Sequence, residues 1–249
     1  MILSEYFFNK HSIAIFTDSS FKKKDSPKGR AIGAVAPAAI AYWRDRPIEY
    51  GFNIMNHTTS QVGELNAILV GVMMAYKYQL QGYTIRIFSD SLNSILAVRD
   101  RIFDWVYKDS ISIGPSKYMG NNGTVKNQEH IMNIIYEILS NNMPIDFYHV
   151  KGHVNTYNLN SIVDAVDIFR RHNNFLIDLD TAAVISNRNN EVDQYSTDML
   201  NKNHMDPKYD MSGLTPGITI GYAPFDMGKY FNLVNYKNAV KFTPKENYG

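Results

Sequence analysis

The run Ser12-Ile13-Ala14-Ile15-Phe16-Thr17-Asp18-Ser19-Ser20 alternates β-branched, small and aromatic residues and then stops at an acid followed by two hydroxyls. That pattern predicts a strand with a polar stop. The same grammar returns in Tyr83-Thr84-Ile85-Arg86-Ile87-Phe88-Ser89-Asp90, and a third apolar run covers Ile145 to Val150. Between the first two, Ala31–Trp43 and Ile48–Met55 read as strands joined by the turn Arg44-Asp45-Arg46-Pro47. From Glu64 the period changes: Leu65, Ile68, Leu69, Val72 and Tyr76 fall on one helical face, behind Thr58, Thr59 and Ser60 as N-cap types. Ser91–Phe103 and Gln128–Leu139 also read as helices, the second through Ile131, Ile134, Ile135 and Ile138, and so do Ile162–Arg171, Leu176–Ile185 and Glu191–Leu200. A three-strand meander followed by helix, strand, helices and strand predicts an α/β fold, a five-stranded mixed sheet flanked by helices, with the later strands parallel to the first.

Composition narrows the chemistry without naming a partner. The chain has 249 residues, 25 Lys and Arg against 24 Asp and Glu, and no cysteine. Cysteine nucleophiles, disulfides and thiolate-ligated metals are therefore excluded, and any metal must sit on Asp, Glu, His or Asn. A formal charge of +1 gives no global pull toward a polyanion, so such a ligand must be met by a local basic face or through cations. No apolar run approaches the ~20 residues of a membrane span, and the expectation is a cytoplasmic, monomeric protein.

Three carboxylates stand out by position. Asp18 and Asp90 each follow a predicted strand, and two parallel neighbouring strands deliver such residues to one sheet edge, where open α/β sheets place their sites. Glu64, opening the first long helix, can reach the same edge. Converging acids without basic partners raise one another's pKa and are stable mainly around divalent cations, and oxygen-only ligation favours Mg²⁺ or Mn²⁺. A lone Asp after a strand is ordinarily a turn residue, so the case rests on the set.

The set resembles the ribonuclease H family. Ile15-Phe16-Thr17-Asp18-Ser19-Ser20 is similar to its first motif, with Ser19 where the family has Gly. His57-Thr58-Thr59-Ser60-Gln61-Val62-Gly63-Glu64-Leu65 resembles the segment carrying the second acid, and Ile87-Phe88-Ser89-Asp90-Ser91 the third. Val125-Lys126-Asn127-Gln128 resembles the start of a later family helix, and Tyr148-His149-Val150-Lys151-Gly152-His153 the segment that delivers a loop histidine. For the fourth acid three stretches compete: Asn160–Asp164, Asn174–Asp178 and Asn189–Asp193. Asp193 is preferred for the local text Asn189-Asn190-Glu191-Val192-Asp193.

The resemblance implies a ribonuclease H-like domain over residues 1–200, with 154–188 as a helical insertion and 201–249 as a C-terminal extension. It implies an endoribonuclease that hydrolyses the RNA strand of RNA/DNA hybrids with two Mg²⁺ ions, for which Mn²⁺ can substitute. Asp18, Glu64, Asp90 and Asp193 would hold the metal, with His153 as proton carrier. Ser60, Gln61 and Asn189 would touch substrate, the first two at the minor groove where 2′-hydroxyls mark RNA. Lys22–Lys28 would meet phosphates, and Trp105, Tyr107 and Lys108 a DNA strand, although a solvated hairpin tip and core packing explain these equally or better. Segments 154–188 and 201–249 are the places for a protein partner. The competing expectations are another nuclease of this fold, of resolvase or exonuclease type, and a catalytically silent nucleic-acid-binding or scaffold module. An exonuclease would need an acid where Ser20 stands.

Overall fold

The computed structural model describes residues 3–23, 33–79, 82–101, 119–120, 123–124, 127–140, 144–205 and 240–241. The expected contacts of residues 24–28, Trp105, Tyr107 and Lys108, and nearly all of 206–249, lie outside the described residues.

A short helix α1 (Leu3–Phe7) leads into β1 (Ser12–Lys23), β2 (Gly33–Trp43) and β3 (Arg46–Phe52), which form the antiparallel meander. A four-residue strand β4 (Met55–Thr58) adds to β2 where the sequence suggested a longer third strand. Helix α2 (Ser60–Gln79) follows, then β5 (Thr84–Ser89), α3 (Leu92–Leu96), the small hairpin β6 (Met119–Gly120) and β7 (Gly123–Thr124), α4 (Gln128–Ser140) and β8 (Ile145–His149). Helices α5 (Leu159–Asn173) and α6 (Leu179–Met205) come next, and β9 (Val240–Lys241) adds to the outer edge. The sheet order is β3-β2-β1-β5-β8-β9, with β5 and β8 parallel to β1, as the connection pattern requires. The five expected strands form its body, and β4 and β9 are additions.

Both faces of the sheet are covered, so the central strands are apolar on both sides. On one face Ile13, Ile15, Ile85, Ile87 and Phe147 meet Leu65, Ile68 and Val72 of α2 and Ile131, Ile134 and Ile138 of α4. On the other, Ala14, Phe16, Phe88 and Tyr148 meet Phe7 of α1, Phe169 of α5, and Ile185 and Val192 of α6. Phe16 and Phe88 stack with ring centroids 4.6 Å apart, fixing the β1–β5 register from the side. Tyr76 departs from its expected place: it is 44% exposed, because α2 is covered along a different arc by the sheet and α4.

Two elements differ from their sequence signals. The helix expected to run Ser91–Phe103 is α3 followed by a π-helical turn over Ala97–Arg101. The helical segments expected at Leu176–Ile185 and Glu191–Leu200 are one 27-residue helix, α6. The Asn187-Arg188-Asn189-Asn190 run that suggests a break has poor intrinsic propensity, but tertiary contacts override it. Arg188 lies over the rings of Phe8, at 4.0 Å, and Tyr42, at 4.6 Å, and donates to the Arg44 carbonyl at 2.6 Å. Among the described residues no helix is long and apolar enough to cross a membrane.

Candidate active site

Strand β1 does not end at Asp18: it continues to Lys23 along β2, with Asp18 opposite Ala38. What ends there is its pairing with β5, whose last register pair is Thr17 with Ser89. Asp18 and Asp90 are therefore the first residues past the parallel ladder on adjacent strands. The Ser19 amide donates to Asp18 Oδ1 at 2.7 Å, which fixes the carboxyl rotamer.

Glu64 is brought to the same point by α2. Thr59 Oγ1 accepts from the Val62 amide at 3.4 Å, starting the helix one turn before the acid. Two glycines let α2 press onto β1: a Cβ at Gly71 would stand 2.7 Å from Thr17 Cγ2, and one at Gly63 would collide with Ser19 Oγ. The Ser19 hydroxyl, present where the resemblance expects glycine, thus occupies space that Gly63 leaves empty. One ligand oxygen from each of Asp18, Glu64 and Asp90 lies within 4.8 Å of the others.

Of the three candidates for the fourth acid, Asp193 is the one beside this cluster, close enough to raise the pKa of Asp18 and Glu64. It sits midway along α6, clamped to β1 by hydroxyls: Ser196 Oγ accepts from the Ser20 amide at 2.9 Å and bonds Ser20 Oγ at 2.8 Å. Asp178 instead caps α6 by accepting from the Thr181 amide at 2.7 Å, and Asp164 pairs with Lys151 at 3.3 Å.

The electrostatics follow from burial and like charge. Burial, then the neighbouring Asp90 and Asp193, push Asp18 up to about 8 from 3.8. Burial, followed by the other acids, also raises Glu64 well above the usual carboxylate range. Asp90 is raised by burial, opposed by the Asn189 amide and by His153. Polar atoms are left over: Glu64 Oε2 is buried without a hydrogen bond, and both amide atoms of Asn189 are buried beside Asp90 without a well-formed bond. A group of oxygen donors that repel one another, with a buried Glu64 oxygen left unpartnered, fits a hard divalent cation. Asp18, Glu64 and Asp90 are the residues that could hold one.

His153 is exposed and adopts a left-handed backbone, φ 52°, with Nδ1 3.5 Å from Asp193 Oδ2. Gly152 before it packs against Asp90, and a Cβ there would collide with Oδ2. Ser60 is exposed at the start of α2, whereas Gln61 Nε2 donates to Ser94 Oγ at 3.0 Å, so its amide already has a partner within the chain. The packing roles of Gly63 and Gly152 and the clamp from Ser196 had no sequence signal of their own, since each becomes meaningful only against a residue distant in the chain.

A mixed sheet with helices on both faces and carboxylates gathered where its parallel strands end is a ribonuclease H-like fold. The sequence profile described as RNase H matches residues 10–167. The chain belongs to the RNase H family. Among solved structures, it is similar to LC9-RNase H1, described as a type 1 RNase H with the type 2 active-site motif, at 12% identity, covering 66% of this chain and 75% of that one, TM-score 0.45. The PFV RNase H domain is 14% identical over 66% of this chain and 93% of its own, TM-score 0.44. LC11-RNase H1, isolated from compost and solved in complex with RNA/DNA hybrid, is 13% identical over 63% and 98%, TM-score 0.36. No curated protein matches the chain.

Proposed function

We propose that this protein is an endoribonuclease that hydrolyses the RNA strand of RNA/DNA hybrids. The observation that carries the reading is the convergence of Asp18, Glu64 and Asp90 carboxylate oxygens within 4.8 Å, in a chain of this family. Asp18, Glu64, Asp90 and Asp193 would hold two Mg²⁺ ions, replaceable by Mn²⁺. Bound there, such ions would activate a water and stabilise the leaving oxygen of a phosphodiester.

The chain's own residues do the rest. Asp18, beside both Asp90 and Asp193, would hold metal together with them. His153 carries a proton or helps product depart, supported by its exposure and its approach to Asp193. Ser60 and Gln61 meet the minor groove at the start of α2, and Gln61 must exchange its bond to Ser94 for one to substrate. Asn189, buried at Asp90 with an unpartnered amide, orients the scissile group. Residues 154–188 and 201–249 are read as additions where a protein partner would bind.

The test is cleavage of a hybrid labelled on each strand, beside double-stranded RNA, double-stranded DNA and single strands, with Mg²⁺ and with Asp90→Asn as control. The expected result is cutting of the hybrid's RNA strand alone, abolished by the substitution. No cutting of any substrate with either metal would overturn the enzyme reading and favour a silent binding module.

A further inference from the structure

Behind Asp90 lies a buried polar network that the reaction described above does not use. His149, the last residue of β8, has its Nε2 3.1 Å from the backbone carbonyl oxygen of Asp90 and its Nδ1 2.8 Å from Nδ1 of His172 on α5. A carbonyl oxygen only accepts, so Nε2 carries the proton, Nδ1 of His149 accepts, and His172 donates from Nδ1. The same carbonyl accepts from the Leu92 amide at 3.0 Å, so the peptide after Asp90 is held by two donors.

His149 is itself fixed. Asn173 behaves as an extra strand residue beside it: its Oδ1 accepts from the His149 amide at 2.8 Å and its Nδ2 donates to the His149 carbonyl at 2.7 Å. Arg99, in the π-helical turn, donates to Asn173 Oδ1 at 3.0 Å, to the Phe147 carbonyl at 3.2 Å and to the His172 carbonyl at 2.8 Å. Arg99 and Asn173 are buried, and the Asn173 amide is saturated, also donating to Phe169 at 2.9 Å. The strand end, α5 and the π turn are thereby joined at one histidine, and that histidine's free donor points at the residue bearing a site carboxylate.

We propose that His149 is a positioning residue for Asp90, held in its Nε2-protonated tautomer by His172 and braced by Asn173 and Arg99. The inference rests on reading Asp90 as a metal-holding acid. Its physical content is that the Asp90 peptide, fixed by His149, sets the direction of the Asp90 carboxylate toward Asp18 and Glu64, and that the site loses preorganisation without it. Outer residues of this kind ordinarily change metal affinity 10- to 100-fold.

The experiment has two parts. Long-range ¹⁵N correlation spectra of the full chain in EDTA read the tautomers directly; Nε2–H on His149 and Nδ1–H on His172 are expected, and Nδ1–H on His149 overturns the proposal whatever the metal does. Mn²⁺ affinity, read by electron paramagnetic resonance, is then compared among the wild type, Asp18→Asn, His149→Phe and His149→Gln. His149→Phe removes the donor and is expected to weaken Mn²⁺ at least about tenfold, with hybrid cleavage recovering at saturating Mn²⁺. His149→Gln, whose Nε2 can still donate, is expected to stay within about threefold. Unchanged affinity in His149→Phe, where Asp18→Asn abolishes binding, overturns the positioning role and leaves the metal reading intact. Affinity indifferent to Asp18→Asn overturns the metal reading and the inference with it.

Discussion

Replacing Asp18 by Asn should stabilise the metal-free protein at high pH, although it removes a central residue of the site. In the folded chain Asp18 keeps its proton up to about pH 8, whereas an exposed Asp loses it near 3.8. Between those values the folded state binds more protons than the unfolded state, so stability must fall as pH rises. At ~1.4 kcal/mol per pH unit the full gap corresponds to about 6 kcal/mol, an upper bound because the repulsion is shared with Asp90, Glu64 and Asp193. Asn is neutral at every pH and can still accept the 2.7 Å bond from the Ser19 amide. In EDTA at pH 8.5 the variant should therefore melt above the wild type, by at most about 12 to 24 °C at about 2–4 °C per kcal/mol, while at pH 4 the two should nearly coincide. With saturating Mg²⁺ the order should reverse, since the ion stabilises only a chain that binds it. A wild-type melting temperature in EDTA that is flat from pH 5 to 8.5, or a variant less stable than the wild type at pH 8.5, would refute the reasoning.

Gly152→Ala, which drives a Cβ into Asp90 Oδ2, should lower Mn²⁺ affinity and hybrid cleavage by about tenfold while moving the melting temperature only a few degrees. Gly63→Ala should cost about 1–3 kcal/mol in urea unfolding through its collision with Ser19, and adding Ser19→Gly should recover part of that loss, Val35 remaining close. Asp193→Asn should reduce cleavage by about 10- to 100-fold through weakened metal binding. By contrast Asp178→Ala should cost about 1 kcal/mol as a lost helix cap with turnover retained, and Asp164→Ala should leave cleavage unchanged.

The strands were legible because β1, β5 and β8 are buried on both faces and written in Ile, Phe and Tyr, which leaves little alternative to a central parallel strand. Asp18 and Asp90 were legible for a related reason, since each directly follows such an apolar run where the parallel ladder ends, and Glu64 was legible because the helical period starts beside it. Asp193 was harder. It lies in the interior of a helix whose Asn-rich centre argues for a break, and only the packing of Arg188 on Phe8 and Tyr42 explains why the helix continues. Nothing local marks the π-helical turn, because its purpose, presenting Arg99 to Asn173 and the Phe147 carbonyl, joins residues up to 74 positions apart. Gln61 is the converse case: its type suits substrate contact, while its internal bond to Ser94 depends on where α3 falls and leaves no mark in the sequence.

The metal assignment to these acids is tested most directly by where a divalent ion sits. Crystals grown with Mn²⁺ and measured at the manganese absorption edge should show anomalous density among the carboxylates of Asp18, Glu64 and Asp90, with Asp193 alongside, and none there in Asp18→Asn. Full Mn²⁺ saturation with no density at these acids, or density only elsewhere on the chain, would contradict it.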